Sequence, residues 1–164
     1  MIRQVLIAGM LYLGLGCGSS TGSVSQGELV FDLAHNTERS KIIKETTAVL
    51  QLNNYTIEYS DLNRERAALQ TYWRTTTQTV VHDTVVRQVV LRDRAILHIT
   101  PRGRSTVVTN VYLMVNATLE FELQAQNENG GAWEPVSPPQ RFTQLYASIV
   151  KDIRNRMLKY RYEL

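Results

Sequence analysis

A single cysteine, Cys17, excludes an internal disulfide, so no covalent staple holds this chain. Histidine is almost as scarce. His35, His82 and His98 stand far apart, and none has the i, i+4 partner or the cysteine companions of a zinc site. His82 and Asp83 are sequence neighbours, and neighbours in an extended chain point to opposite sides, so they form no dyad. There is no G-x-S-x-G elbow, and Gly130-Gly131 is a lone pair in a polar stretch, so neither an activated serine nor a phosphate-cradling loop is legible. Asp32, Asp61, Asp83, Asp93 and Asp152 are dispersed along the chain, and no internal repeat is visible. Strong charge is missing too. The formal net charge is +3, and the positive residues are scattered apart from one C-terminal cluster, which is not the concentrated basic stripe of a nucleic-acid binder. These absences favour binding over catalysis, with no cofactor, no metal and no nucleic acid expected.

What is present begins with a leader. Residues 1–4 form a short positive segment around Arg3, and 5–16 form an apolar run without charge. Twelve residues fall short of the roughly 18 needed to span a membrane and fit the apolar region of a signal peptide. The run ends in Leu13-Gly14-Leu15-Gly16-Cys17, which resembles the lipobox of bacterial lipoproteins. Gly16 matches the small residue before the cleavage site, and Cys17 the cysteine that takes a diacylglycerol. Gly14, with Leu13 one step further out, departs from the usual leucine three before the cysteine. The resemblance implies a chain anchored through lipid on Cys17, which also accounts for an unpaired thiol in an exported protein; an ordinary cleaved signal with an incidental cysteine is the alternative. Each buried methylene of the acyl chains contributes about 0.8 kcal/mol of membrane affinity. The residue after the cysteine is Gly18, not aspartate, which resembles the outer-membrane default. The expected location is therefore the periplasmic side of the outer membrane, with the inner membrane or the free periplasm as alternatives.

Residues 18–27 are rich in Gly and Ser and read as a flexible tether with a span of roughly 18 Å. The expected organisation is a signal peptide over 1–16, a lipidated tether over 17–27 and one domain over 28–164. Hydrophobic residues make up 43% of the chain, enough for a core. Leu29, Phe31 and Leu33 alternate as in a strand, and Asn36 or Thr37 is placed to cap a helix. Ile42, Ile43, Thr46, Val49 and Leu50 then form a stripe at helical spacing, and Asn53-Asn54 is a stop signal. Two short strands follow, over 55–59 and 69–73. Residues 75–91 are rich in Val and Thr and read as extended with a bend near His82-Asp83. Ala95, Leu97 and Ile99 mark the inner face of the next strand, and 101–104 supply a turn. Val111, Leu113, Val115, Ala117, Leu119, Phe121 and Leu123 line one face of a strand so long that a bulge or bend is expected. After a polar loop over 126–139, Pro138 and Pro139 can start a last helix with Phe142, Leu145, Tyr146, Ile149, Ile153 and Met157 on its buried side.

The expected fold is α+β, a two-layer sandwich of four to five antiparallel strands with both helices on one face. The other sheet face stays partly open, with Gln70, Tyr72, Arg74, Tyr112, Met114 and Asn116 alternating outward. A second candidate contact surface is the basic C-terminal cluster of Lys151, Arg154, Arg156, Lys159 and Arg161, with Tyr160 and Tyr162 beside it. Its simplest role is to complement the dipole of the last helix, and its functional role would be contact with acidic headgroups or an acidic partner.

One stretch carries a wider resemblance. After Leu50 a helix ends at a polar corner, a strand reads Tyr55-Thr56-Ile57, an acidic turn follows at Asp61, and the next strand reads Leu69-Gln70-Thr71-Tyr72-Trp73. That pattern resembles the helix-grip domains of BamC, the lipoprotein accessory of the outer-membrane β-barrel assembly machinery. That family usually carries two such domains where this chain has room for one, and no binding residue carries over. The resemblance implies a non-catalytic adaptor or structural role among envelope proteins. The alternative is a carrier that holds a lipid or another hydrophobic ligand in the groove between sheet and last helix; a filled core argues against it, and a small-molecule ligand is not expected.

Overall fold

A computed structural model describes residues 23–25, 27–60, 67–82, 85–107, 110–126 and 130–159. The leader, Cys17, the turn around Asp61, Asp83, and the last residues including Tyr160, Arg161 and Tyr162 lie outside them. The elements run β1 (Ser23–Ser25), β2 (Glu28–Glu38), α1 (Arg39–Leu52), β3 (Ile57–Ser60), β4 (Ala67–Thr71), β5 (Arg74–His82), β6 (Val85–Val107), β7 (Asn110–Gln126), β8 (Trp133–Pro135) and α2 (Gln140–Lys159). The molecule is α+β. One antiparallel sheet has the order β1-β2-β7-β6-β4-β3, with β5 also paired to β6 and β8 to β7. Eight strands among the described residues exceed the expected four to five. The surplus comes from β1 and β8, which are too short and polar to show alternation, and from the β5–β6 ribbon.

Alternation decides the inner face. Leu29, Phe31 and Leu33 of β2 are buried with Ala95, Leu97 and Ile99 of β6 and Val115, Ala117, Leu119, Phe121 and Leu123 of β7. Register puts Leu29 opposite Phe121 and Leu97 opposite Leu119. The helices close this face with the expected stripes: Ile42, Ile43, Thr46, Val49 and Leu50 of α1, and Phe142, Tyr146, Ile149 and Ile153 of α2, are all buried. At the centre the Phe121 ring stacks on Tyr146 with centroids 4.1 Å apart, and Phe31 meets Phe121 edge-on at 6.2 Å. Such pairs add about 0.5–1.5 kcal/mol each beyond area burial. The Pro139 carbonyl accepts from the amides of Phe142 and Thr143, so α2 starts where the prolines allow it.

Several boundaries differ from the expectation. Neither Asn36 nor Thr37 caps α1. Strand β2 runs on to Glu38 because β7 supplies ladder partners as far as Met114, and the second of two register shifts along the way, between Ala34 and Thr37, absorbs Asn36 at φ 47°. The Asn36 amide donates instead to Asn116 Oδ1 at 3.1 Å. At the other end of α1 the stop is as expected, with Asn53 as C-cap and Asn54 at φ 63°. Residues 101–104 do not turn the chain back. Pro101 and Gly103 form a bulge inside β6, which continues to Val107 opposite Asn110. A proline without an amide and a glycine at φ 151° suit a bulge as well as a turn, and the long partner strand decides. This is also where the bulge expected opposite β7 sits. The Val- and Thr-rich stretch is extended, as expected, and pairs as a β5–β6 hairpin up to His82 opposite Val85. Part of the tether is structured: Ser23–Ser25 pairs with β2, and Gly27 at φ 86° sits so close to β8 that a Cβ there would lie 2.5 Å from Pro135 Cβ.

The largest difference lies in the extent of the core. Val111 and Leu113 share the inner face of β7 yet are 60% and 47% exposed, whereas Val115 is buried. The helix layer ends at Val115, and the β6–β7 ribbon projects beyond it as an uncovered arm.

Candidate functional site

Burial of an acid is the first feature to explain. Asp93 of β6 lies in phase with Leu91, Ala95 and Leu97, so alternation drives it into the core, where it is 1% exposed. Four donors meet its carboxylate: Tyr55 Oη at 2.5 Å, Arg74 Nη2 at 2.9 Å and Nε at 3.1 Å, and Tyr146 Oη at 3.2 Å. Arg74 also donates through Nη1 to the Asn53 carbonyl at 2.9 Å and lies over the Tyr55 ring at 4.1 Å. A cation thus caps the C-terminal end of α1, where the helix dipole is negative. Burial, then the charge on Asp93, pushes both tyrosine hydroxyls well above the usual phenol range. Burial alone would lower the Arg74 pKa, but its hydrogen bond to Asp93 and the negative groups around it raise it. Arg74 therefore stays a cation and the tyrosines stay neutral donors near neutral pH. Chemically the cluster is a saturated network that fastens β5, β6, α1 and α2 together.

Arg74 was expected on the open face. Tyr72 and Trp73 belong to no strand, and this break between β4 and β5 shifts the alternation, sending Arg74 inward and Trp73 outward. The outward position of Tyr72 holds, at 54% exposure. The legible hint was Asp93 itself: an acid in step with core positions demands a cation nearby.

The open face of the sheet carries a polar ladder. Arg94 forms a two-pronged pair with Glu122 at 2.7 and 3.1 Å, Arg92 holds Gln124 Oε1 at 2.9 and 2.7 Å, and His98 Nε2 lies 2.6 Å from Glu120. Arg92 also lies over both tryptophan rings, 4.5 Å from Trp73 and 4.3 Å from Trp133, and Arg94 lies over Trp73 at 4.5 Å. Partial burial, then the neighbouring Arg94, lowers the pKa of Arg92. Cross-strand pairs of this kind let one sheet face meet water without a helix cover.

The basic C-terminal cluster is divided. Lys151 is exposed, Arg154 donates to the Asp32 carbonyl of β2, and Arg156 lies 3.7 Å from the Glu45 carboxylate of α1. At about 100° per residue, positions 151 and 156 point about 140° apart, so they do not form one face. Side chains of Lys159 and Arg161 lie outside the described residues. His35 is exposed. Among the described residues no group of three or more His, Cys, Asp or Glu could hold a metal, and no helix is long and apolar enough to cross a membrane. The space between the sheet and the helices is filled by Phe121, Leu119, Tyr146, Ile149 and Ile153, all at most 1% exposed. A depression of about 490 Å³ lies elsewhere, open to solvent between Lys44 and Gln51 of α1 and Ser60 of β3.

Two ribbons were not legible as sites. Besides the β6–β7 arm, β5 pairs only with β6 among the described residues, leaving its second edge open. No protein-family model and no curated protein matches the chain.

Proposed function

We propose that this protein is a non-catalytic adaptor of the bacterial envelope, anchored by lipid on Cys17 at the periplasmic side of the outer membrane, which binds another envelope protein along the open edge of β5. The observation that carries the reading is the character of that edge. Nine residues of strand present unpaired backbone groups on one side among the described residues. Exposed edges normally carry lysine, proline or a bulge to prevent strand addition. Between Thr75 and Val81 there is no charge and no proline, and the pairing with β6 is continuous from Arg74 to His82. Thr75, Thr76, Thr77 and Thr79 are β-branched and favour the extended form a partner strand needs. The filled layer between sheet and helices supports protein contact over carriage of a hydrophobic ligand. The BamC-like order of elements fits a role in outer-membrane assembly.

A photo-crosslinking residue at Gln78 in intact cells tests this, with Lys44 on α1 as the comparison. The expected result is a discrete protein adduct from position 78 and none from 44. No adduct from position 78 refutes the assignment.

A further inference from the structure

We infer that the β6–β7 arm seats in the anionic headgroup layer of the same membrane that holds the anchor. Three independent features meet there. The first is charge: from Arg94 through Leu119 the chain contains no Asp or Glu, while Arg102 and Arg104 are both exposed on the arm. The second is apolar exposure. Leu113 sits opposite Arg104 and Val111 opposite Thr106, so one face combines two bare aliphatic side chains with a guanidinium. On the other face are Tyr112 and Met114, both half-buried. The uncovered part runs about 16 Å past Val115, at about 3.3 Å per residue. Bare aliphatics, a tyrosine and arginines on one projecting element suit the boundary between headgroups and acyl chains.

The third feature is direction. Strand β1 is antiparallel to β2, with Ser25 opposite Glu28 and Ser23 opposite Val30. Strand β2 runs toward Glu38, which pairs with Met114 at the base of the arm. Followed backward from Ser25, the chain therefore leaves the sheet toward the arm. Cys17 lies six residues before Ser23, a reach of at most about 22 Å. The arm's end at Asn110 lies about 33 Å along β7 from Glu120, which is level with Val30. An anchor that can extend two-thirds of the way to the tip brings the domain down with its arm toward the bilayer. This inference rests on the lipid anchor of the proposed function.

The test uses the protein purified from membranes, with acylation of Cys17 read by mass. Leu113→Cys and, for comparison, Gln51→Cys carry an environment-sensitive fluorophore. Both are reconstituted in phosphatidylcholine vesicles with or without one-third phosphatidylglycerol, containing lipid quenchers near the headgroup. The expected result is at least twofold quenching at position 113 in the anionic vesicles, none beyond background at 51, and loss of the effect in Arg102→Glu/Arg104→Glu. Equal quenching at the two positions, or none at 113, overturns the inference; an arm seated on an acidic protein gives that second result. If Cys17 carries no acyl group, the anchor fails but the arm is still tested by flotation. Binding to anionic vesicles that the double reversal abolishes supports the arm, and its absence overturns it.

Discussion

Removing Arg74 should destabilise this protein far more than neutralising its partner does. Among the described residues Arg74 gives Asp93 two of its four hydrogen bonds and the only cationic group bonded to it, while Asp93 is 1% exposed and cannot turn to water. Arg74→Met keeps most of the side-chain volume and leaves a buried carboxylate held by two tyrosine hydroxyls. Breaking a buried pair from one side costs about 3–5 kcal/mol, a large part of the about 5–15 kcal/mol that holds a domain together. Asp93→Asn preserves shape and one acceptor, and the guanidinium, with 23% of its side chain exposed, can redirect its charge to solvent. That change should cost about 1–3 kcal/mol. In the double variant no unpaired charge remains buried, so the two effects should fall short of additivity by at least about 1 kcal/mol. Urea unfolding of the four proteins, followed by circular dichroism and by the fluorescence of the adjacent Trp73, measures the cycle. A cost for Arg74→Met within about 1 kcal/mol of wild type, or costs that add within about 0.5 kcal/mol, would refute the assignment of the network as a buried ion pair.

Other outcomes follow from the same geometry. Tyr55 and Tyr146 have hydroxyl pKa values raised in the fold, so their contribution is fully present below the unfolded phenol value near 10 and is lost as pH rises above it. Stability should then fall by up to about 2.7 kcal/mol per pH unit for the pair, and Tyr55→Phe/Tyr146→Phe should flatten that limb of a stability–pH curve. Leu113→Ser should change stability by no more than about 0.5 kcal/mol, while Leu119→Ala, six positions along the same face, should cost about 2–5 kcal/mol in urea melts. Gly27→Ala should cost more than about 1 kcal/mol, since it adds a Cβ at positive φ against Pro135; a melting temperature equal to wild type would contradict the β1–β2 turn. Cys17→Ser should abolish incorporation of a labelled fatty acid and leave the precursor unprocessed, and equal label on both forms would remove the anchor.

Local pattern determined which side of each element is apolar. Alternation in β2, β6 and β7 and the three-and-four spacing in α1 and α2 identify most buried residues where a covering layer exists, although Leu145 and Met157 of the α2 stripe are only half-buried and Ile96, on the opposite face of β6, is buried. Periodicity carries this information because side-chain direction follows from backbone geometry alone. The same alternation, carried two positions back from Ala95, reaches Asp93, a signal that is lost among the dispersed aspartates and that does not say which cation answers the acid. The choice of Arg74 required the break at Tyr72 and Trp73, which reverses the alternation and shows no distinctive local signal. How far each strand runs was likewise a matter for its neighbours: β7 carries β2 through Asn36 and Thr37, the expected helix caps, and carries β6 through the bulge at Pro101 and Gly103. Coverage was the last thing decided tertiarily. Val111 and Val115 have the same residue type and lie on the same face of β7, and they differ only because the helices stop between them. A sequence records the face a side chain takes, but burial depends on what another part of the chain brings to that face.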